Sequence, residues 1–401
     1  MRRRWMLLLP VALPLCLAPA PAHGQRLWDQ EIVWPLPPEE PRVRYVGWVA
    51  TEADIGKSEG FLSNLRNRLS GTRSAVVGMQ RPHDVHMDGG TRLFVSDGAK
   101  GKVVLFNLDT HEATVIGNGG VGNLRKPMGL GGDGAGTVYV SDASGSRVVA
   151  YDRDGQYLRA YGGEAILLNP TAVAVDTERD RLYVADSYLH QVVVFSVESG
   201  DLLGRIGKDV DDLAAKREAL RGAWEGGIHA ALPDAEIPEP ASHAGTQPRD
   251  LVGNRGGEPG ELRYPGFVAV APDGTLYVTD QMNFRVQAFG PDGSFLRQIG
   301  SIGRTPGSFS RPKGVAVDSE GHLYVADALF NNVQVFDADG RLLLVFGRIG
   351  AGAGDLYLPL GMQVDGANRI YIADRYNNRI QIFQFLGTPR VADGEDPNRD
   401  R

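Results

Sequence analysis

A five-residue motif that ends in aspartate recurs six times along the chain, and its spacing constrains the fold more than any other feature. Each copy carries an aliphatic residue, an aromatic residue, a Val or Ile, a small residue and the final acid. The copies end at Asp97, Asp142, Asp186, Asp280, Asp327 and Asp374. Successive copies are 45, 44, 94, 47 and 47 residues apart. A period in the forties predicts a repeat architecture in which each unit is one small sheet.

Residues 311–347 show how one unit is built. Short runs of β-branched, aromatic and leucine residues cover 315–318, 323–327, 333–337 and 342–346. Turns rich in Gly and Asp separate the first run from the second and the third from the fourth, which is the chemistry of hairpins. The pattern therefore predicts a four-stranded sheet. One such sheet cannot bury both of its faces alone, so it needs neighbours of the same kind.

The consensus of the six copies resembles a known repeat family. It reads Pro-x-Gly-Val-Ala-Val-Asp, then Leu-Tyr-Val-Ala-Asp, then Arg-Val-Gln-Val-Phe-Asp, then Leu-x-x-Phe-Gly, and it covers most of residues 81–387. In all four segments it resembles the NHL repeat. The resemblance implies an all-β fold, a six-bladed β-propeller of four-stranded blades, in agreement with the repeat period. The predicted blades are residues 81–117, 126–162, 169–207, 264–300, 311–347 and 358–387.

The sixth blade lacks a fourth strand, because its apolar pattern gives way at residues 388–401 to a charged segment that we expect to be disordered. Residues 42–49 alternate apolar and polar side chains but belong to no blade, and Val43, Tyr45 and Val49 are expected on one side. We therefore expect this segment to supply the missing strand and close the ring, which would cover both open sheet edges. The alternative is an edge strand that packs elsewhere.

The N-terminus has the pattern of a secretory signal over residues 1–24. Arginines at positions 2–4 precede an apolar run over 5–18, and small residues at positions 22 and 24 predict cleavage before Gln25. A lipid anchor on Cys16 and an uncleaved membrane anchor are the alternatives. We expect an exported protein, periplasmic or extracellular, with no stable membrane insertion after cleavage.

The single cysteine and the acidic net charge exclude or disfavour several classes of function. Cys16 is the single cysteine, so the processed chain would have no disulfide, thiolate metal site, thiol nucleophile or covalently attached c-type haem. Loss of Arg2, Arg3 and Arg4 would lower the net charge by three, from −7 to −10. Such an acidic protein is a poor candidate for binding nucleic acid, which requires a basic surface.

Further segments lie outside the blades. Residues 25–40 are Pro-rich and predict an extended lead-in, whereas apolar residues at helical spacing over about 54–69 predict a short helix on one propeller face. The interval of 94 residues has room for a seventh blade, but residues 208–251 contain no strand motif. We predict an insertion there. Its role stays open between a functional loop and a disordered one.

The recurring aspartates could indicate a metal site, because six carboxylates would ring one face of a propeller. A structural role is the favoured interpretation, since the acid occurs in every blade. In four blades a basic residue follows at the start of the next strand, as Lys102, Arg147, Arg285 and Arg379 do. A carboxylate in that place can accept bonds from the turn and pair with the base.

Two positions in the first strands depart from the repeat pattern. His86 and Gln363 stand where the other blades have a small residue (Gly131, Ala174, Ala269 and Ala316). Blades one and six are neighbours in a closed ring, so we expect the two side chains to meet near the axis. They would form a buried hydrogen-bonded pair or, alternatively, a polar anchor for a ligand in the channel.

A second candidate site is the set of loops between strands two and three. In blades three to six these loops carry apolar and aromatic side chains, namely Tyr188, Met282, Phe284, Phe330 and Tyr376. The same loops in blades one and two hold small residues such as Ala99 and Ala143. Exposed aromatic residues grouped in this way indicate a recognition surface. The alternative is that they pack beneath the insertion or the predicted helix.

These features favour a binding or scaffold module for a protein, peptide or glycan partner; they predict no oligomeric state. Resemblance to exported bacterial NHL proteins implies an association with multihaem cytochromes. The alternative is a metal-dependent lyase or lactonase, since the peptidyl-hydroxyglycine amidating lyases resemble this chain in their repeats and hold zinc with several histidines. A zinc site needs three or four convergent ligands, and equivalent strand positions here do not supply them. We therefore predict no catalytic residue, metal ligand or cofactor, whereas a zinc or calcium ion in the channel belongs to the alternative.

Overall fold

The computed structural model of the chain describes residues 32–36, 38–55, 77–208 and 256–387. The predicted signal at 1–24 and tail at 388–401 lie outside the described residues, as do residues 25–31 and 37 of the lead-in. The same holds for residues 56–69 of the predicted helix and for residues 209–251 of the predicted insertion.

The described chain is built of short β-strands. Two of them, β1 (Val33–Trp34) and β2 (Val43–Val49), precede the repeats. The others are β3 (Pro82–Asp88), β4 (Arg92–Asp97), β5 (Lys102–Asn107), β6 (Glu112–Ile116), β7 (Pro127–Gly132), β8 (Val138–Asp142), β9 (Arg147–Tyr151), β10 (Tyr157–Gly162), β11 (Pro170–Asp176), β12 (Arg181–Asp186), β13 (Gln191–Phe195), β14 (Leu202–Ile206), β15 (Pro265–Val270), β16 (Leu276–Asp280), β17 (Arg285–Phe289), β18 (Phe295–Ile299), β19 (Pro312–Val317), β20 (Leu323–Asp327), β21 (Asn332–Phe336), β22 (Leu342–Phe346), β23 (Pro359–Val364), β24 (Arg369–Asp374) and β25 (Arg379–Phe385). Short 3₁₀ turns lie at Glu52–Ile55, Ala143–Gly145 and Gln281–Asn283.

The strands form six antiparallel sheets, and each sheet is one blade. Blades one to five pair their four strands in chain order. The first strands of neighbouring blades, which we call the inner strands, contact each other around the ring, and β23 of blade six contacts β3 of blade one. The predicted six-bladed propeller is confirmed. Apolar side chains fill the spaces between adjacent blades, where the fully buried Tyr183, Tyr324 and Tyr371 take equivalent places.

The ring has two distinct faces. Each inner strand begins beside the end of the second strand of its blade, as Pro82 pairs with Asp97 and Pro312 with Asp327. We call this side the upper face; it also carries the loops between strands two and three and the connections between blades. The opposite side, the lower face, carries the other hairpins. There Gly340 adopts a φ of 84°, which a side chain would strain.

The ring is closed by β2, as expected from the sequence. It pairs antiparallel with β25, so blade six has strands from both ends of the chain. A bulge between Tyr45 and Gly47 changes which face each side chain occupies. Val43 therefore packs with the residues between blades five and six, whereas Val49 packs with those between blades six and one. The expectation that Val49 shares a side with Val43 was wrong, because simple alternation does not anticipate the bulge.

Part of the lead-in extends this blade. The two-residue β1 adds a fifth strand beside β2. The Trp34 ring lies 6.0 Å from the Phe346 ring of blade five and 5.7 Å from the Phe383 ring of blade six. The closing segment is therefore anchored by an aromatic cluster as well as by its strand pairing.

The recurring aspartates are structural in every blade, as their repetition indicated. All six are fully buried. In blade five, Asp327 accepts backbone bonds from Leu329 and Phe330 of the following loop and from Ser310 and Arg311 at the start of the blade. In blades four and six the acid also binds the base predicted for it, with an Nε to Oδ2 distance of 2.8 Å for Arg285 and 2.9 Å for Arg379.

A buried histidine on the lower face joins blades five and six. Nδ1 of His322 lies 2.9 Å from Oδ2 of Asp318, and the His322 ring packs edge-on against Phe385 at 5.2 Å. The hydrogen bond to Asp318 raises the pKa of His322 above its ordinary value. The stabilisation from this pair is thus fully present below the unfolded pKa of 6.5 and is lost as the pH rises through the higher folded pKa.

We expect His322→Asn to lower the free energy of unfolding more at about pH 6 than at about pH 9, because only protonated His322 forms the ion pair. Urea titrations of wild type and variant across this range measure the difference. A gap between the two proteins that is constant with pH would show that the ring contributes only packing.

Candidate functional site

The inner strands approach each other so closely around the axis that most of them need small residues. A Cβ added at Gly314 would lie 2.2 Å from the carbonyl oxygen of Leu360, and one added at Gly129 would lie 2.3 Å from the Cα of Ala172. Both glycines stand two residues after the proline that begins an inner strand. Asp84 and Phe267 are the large residues at this position, so they mark where the axis departs from the repeat.

Asp84 is a buried acid between three blades. Its Oδ2 accepts a bond from the backbone N–H of Leu130 in blade two at 2.9 Å, and Oδ1 accepts one from Val85. Gly361 of blade six leaves room for the carboxylate, because a Cβ there would lie 1.9 Å from Oδ1. Burial raises the pKa of Asp84 to about 7, while the two backbone bonds oppose the rise. This residue was not predicted from the sequence.

A ring stack crosses the axis near the upper face. His83 of blade one lies parallel to Phe267 of blade four, with 5.4 Å between ring centroids and an interplanar angle of 17°. Blades one and four are opposite in a ring of six, and both side chains are less than a tenth exposed. The stack therefore separates the inner part of the channel from the upper face.

His86 points from blade one toward blade two. Its Nε2 is buried without a hydrogen-bond partner, and a Cβ added at Gly132 would lie 2.1 Å from it. Four other blades have Val at the position of Gly132, so the histidine ring occupies space that this glycine leaves. Burial lowers the pKa of His86 to about 4, and nearby Asp133 opposes the change. The ring is therefore neutral at neutral pH.

Gln363 binds the backbone of blade one. Its Oε1 accepts a bond from the N–H of Met87, and its Nε2 lies 3.3 Å from the carbonyl oxygen of the same residue. The predicted pair between Gln363 and His86 does not form. Equivalent side chains on strands related by rotation point in the same sense around the axis, so Gln363 points to blade one while His86 points onward to blade two.

The axial side chains of blades one, four and six described above are largely buried, and most of them bind or pack against another blade. Among the described residues, no group of three His, Cys, Asp or Glu side chains is arranged to hold a metal ion.

The upper face holds the second candidate site, and all five predicted loop residues lie on it. Tyr188 is half-buried, with its ring centroid 6.3 Å from that of Tyr264. Tyr376 is also half-buried, 5.2 Å from the Tyr357 ring. Both partners belong to the connections between blades, so each aromatic loop is extended by a tyrosine that was not predicted from the sequence.

The other loop residues are held in place by their backbones. Phe330 donates its N–H to Asp327 at 3.0 Å, Met282 donates to the carbonyl of Arg263 at 3.1 Å, and Phe284 has a left-handed φ of 54°. All three side chains are half-buried. Beside them Leu329 is 55% exposed. The repeat framework thus presents a partly exposed apolar rim over blades three to six.

Arg81 adds a positive charge to this rim at the junction of blades six and one. Its guanidinium carbon lies 6.0 Å from the centre of the Tyr376 ring, within the range of a cation–π contact. The sequence contains a signal that places three rim residues on the upper face, namely Arg81, Tyr264 and Tyr357. Each lies within two residues of the proline that begins an inner strand, so each must lie on the upper face.

The comparisons with known proteins agree with this architecture. The chain matches the family described as NHL repeat over residues 167–195, 262–289, 309–336 and 356–383. These matches lie in blades three to six. No curated protein matches the chain.

Solved structures show the same fold at low sequence identity. One is a protein of unknown function from Bacteroides thetaiotaomicron VPI-5482, with a TM-score of 0.53, 18% identity, and coverage of 76% of this chain and 69% of that one. Another is described as an auxiliary nutrient binding protein from the same organism, with a TM-score of 0.52, 11% identity, and coverage of 77% and 70%. These similarities show the fold alone.

Among the described residues, no helix has the length and apolar character needed to cross a membrane.

Proposed function

The chain is an NHL-repeat protein that folds as a six-bladed β-propeller, and from this premise we propose that it is an exported binding or scaffold module for a protein, peptide or glycan partner. The observation that supports this most is the apolar rim of the upper face. It is contributed by loops of blades three to six and by the connections between blades, and it lies above a closed axis. Large aromatic side chains at the edge of a concave surface are typical anchors for a partner.

The arrangement of the rim favours recognition over catalysis. Tyr188, Phe330 and Tyr376 lie on loops whose N–H groups are tied to the buried aspartates or to neighbouring carbonyls. A rigid backbone lowers the entropy lost when a partner binds. Asp84 and His86, two buried groups that have strongly shifted pKa values, lie instead between blades at the axis. The proposal of export rests on the sequence pattern of residues 1–24, and an association with multihaem cytochromes rests on the family resemblance.

We expect the double substitution Tyr188→Ala with Phe330→Ala to leave the fold intact and to weaken partner capture about ten-fold or more, because two aromatic anchors are removed from one surface. Capture from an envelope extract of the native host, measured by quantitative mass spectrometry, is the readout. Tyr157→Ala with Leu203→Ala is the matched control, since these residues are exposed on the outer strands β10 and β14. Equal capture by both double variants would contradict a role for the rim.

A further inference from the structure

We propose that the upper face binds an acidic peptide segment whose carboxylates are held by Arg81 and Arg311 on either side of Tyr376. This inference rests on the proposed binding function and names the chemistry of its ligand. It starts from the distribution of charge: the chain as a whole carries −7, whereas the positions next to the inner-strand prolines and after the buried aspartates hold basic side chains and no acidic ones.

The first observation is the pair of guanidinium groups around Tyr376. Arg81 is exposed, with its charge 6.0 Å from the centre of that ring. Arg311 is half-buried and is an electrostatic neighbour of the same tyrosine and of Asp327. Among the described residues, neither guanidinium forms an ion pair or donates a side-chain hydrogen bond. Burial also lowers the pKa of Arg311, and the nearby Asp327 opposes the change.

Two carboxylates near these groups, Asp327 beside Arg311 and Asp374 two residues before Tyr376, are already engaged. Asp327 and Asp374 are fully buried and accept bonds from backbone N–H groups, and Asp374 also pairs with Arg379. They therefore have little capacity to neutralise Arg81 and Arg311. A guanidinium is a planar donor that matches a carboxylate in two parallel bonds, so an acid supplied by a ligand would complete each site.

The second observation is the composition of the positions nearest the axis on this face. These are the residues on each side of the six inner-strand prolines and those that follow the six buried aspartates. None of them is Asp or Glu. The basic residues among them are Arg81, Lys126, Arg311, Lys313 and Arg375. Charges of one sign lining a concave surface focus the field and attract an oppositely charged ligand.

The same face indicates a peptide rather than a uniform polyanion. Aromatic and basic side chains adjoin on it, since the Tyr376 ring lies 5.2 Å from the Tyr357 ring and 6.0 Å from the guanidinium carbon of Arg81. The acidic remainder of the molecule would repel a polymer that carries a charge on every unit, such as a nucleic acid. A short segment in which acidic and apolar side chains are mixed satisfies both kinds of contact.

The test is selection of peptides by the wild-type protein from a random phage-displayed library, followed by anisotropy measurements with the selected peptides in fluorescein-labelled form. We expect the selected sequences to be enriched in Asp and Glu together with apolar residues. Arg81→Gln with Arg311→Gln should weaken their binding about 10- to 100-fold, and the wild-type affinity should fall with added salt. Arg341→Gln is the matched control, because this arginine lies on the lower face and pairs with Asp337.

The outcomes separate this inference from the proposed function. Selected peptides without acidic enrichment, or acidic peptides that bind the double variant as tightly as wild type, would overturn the inference while binding at the rim stands. Selection of oligonucleotides or sulfated oligosaccharides in preference to peptides, in a parallel competition, would also overturn it. Failure of any peptide to be enriched above an uncoated surface would count against both proposals.

Discussion

A chain that carries Val43→Asp should unfold at a much lower temperature than wild type. Val43 is fully buried on the closing strand, in the apolar cluster that contains Phe346, Phe383 and Phe385. A carboxylate there has no partner, and an unpaired buried charge costs on the order of 3–5 kcal/mol. For a domain of this size that corresponds to a melting temperature lower by about 10 °C. Differential scanning calorimetry measures the shift.

Val46 supplies the control on the same strand. It lies at the bulge and is 53% exposed, so Val46→Asp should change the melting temperature by only about 1–2 °C. A chain that begins at Phe61 should lose much of its thermal stability, because both β1 and β2 are removed. A synthetic peptide of residues 32–55 added to that shortened chain should restore part of the loss. An unaltered melting temperature of the shortened chain would refute closure by β2.

The second large effect is expected from Asp374→Ala. Asp374 accepts bonds from the backbone N–H of Tyr357 at 2.7 Å and from Nδ2 of Asn377, Nε of Arg379 and Nε2 of Gln381 at 2.8, 2.9 and 3.0 Å. Its removal leaves the Arg379 guanidinium, which is only 8% exposed, without a carboxylate. Breaking a buried ion pair from one side costs about 3–5 kcal/mol. Urea denaturation should show this loss as a lower midpoint with an unchanged slope.

Two further variants identify the cause of that loss. Asp339→Ala breaks an ion pair with Arg341 at 2.7 Å whose carboxylate is 74% exposed, so it should cost less than about 1 kcal/mol. Asp374→Ala combined with Arg379→Met removes both charges and should recover part of the stability. If the double variant is less stable than the sum of the two single losses, the interpretation of Asp374 as the partner of a buried charge is wrong.

The fold followed from the sequence because a propeller repeats its chemistry. Every blade repeats the same strand and turn motifs. A strand boundary that is ambiguous in one blade can therefore be placed by comparison with the other blades. Blade six lacked a fourth strand in the sequence pattern, and the alternating segment at 42–49 belonged to no blade. Pairing of the two was therefore the simplest prediction. What alternation could not indicate was the bulge at Tyr45 and Gly47, since it depends on how β2 must turn to meet two different blade surfaces.

The candidate site was predicted less completely, for physical reasons that differ between residues. The loop residues were found because they break the repeat in a visible way. Asp84 and Phe267 break it equally, but their meaning depends on neighbours from other blades: Leu130 and Gly361 around the acid, and His83 across the axis from the ring. Such contacts join residues far apart in sequence and arise only when the ring is closed. The same reason explains why Gln363 meets Met87 instead of His86.

The pairing of β2 with β25 determines how the molecule is oriented when it is attached to something else. Val43 pairs with Phe385, and the N–H of Leu386 donates to the carbonyl of Arg42 at 2.8 Å, so β2 begins and β25 ends side by side at the lower face. A resin, a fusion partner or an anchor joined close behind Leu386 would therefore hold the lower face. The aromatic and basic side would then point away from the support, in the direction from which a partner arrives.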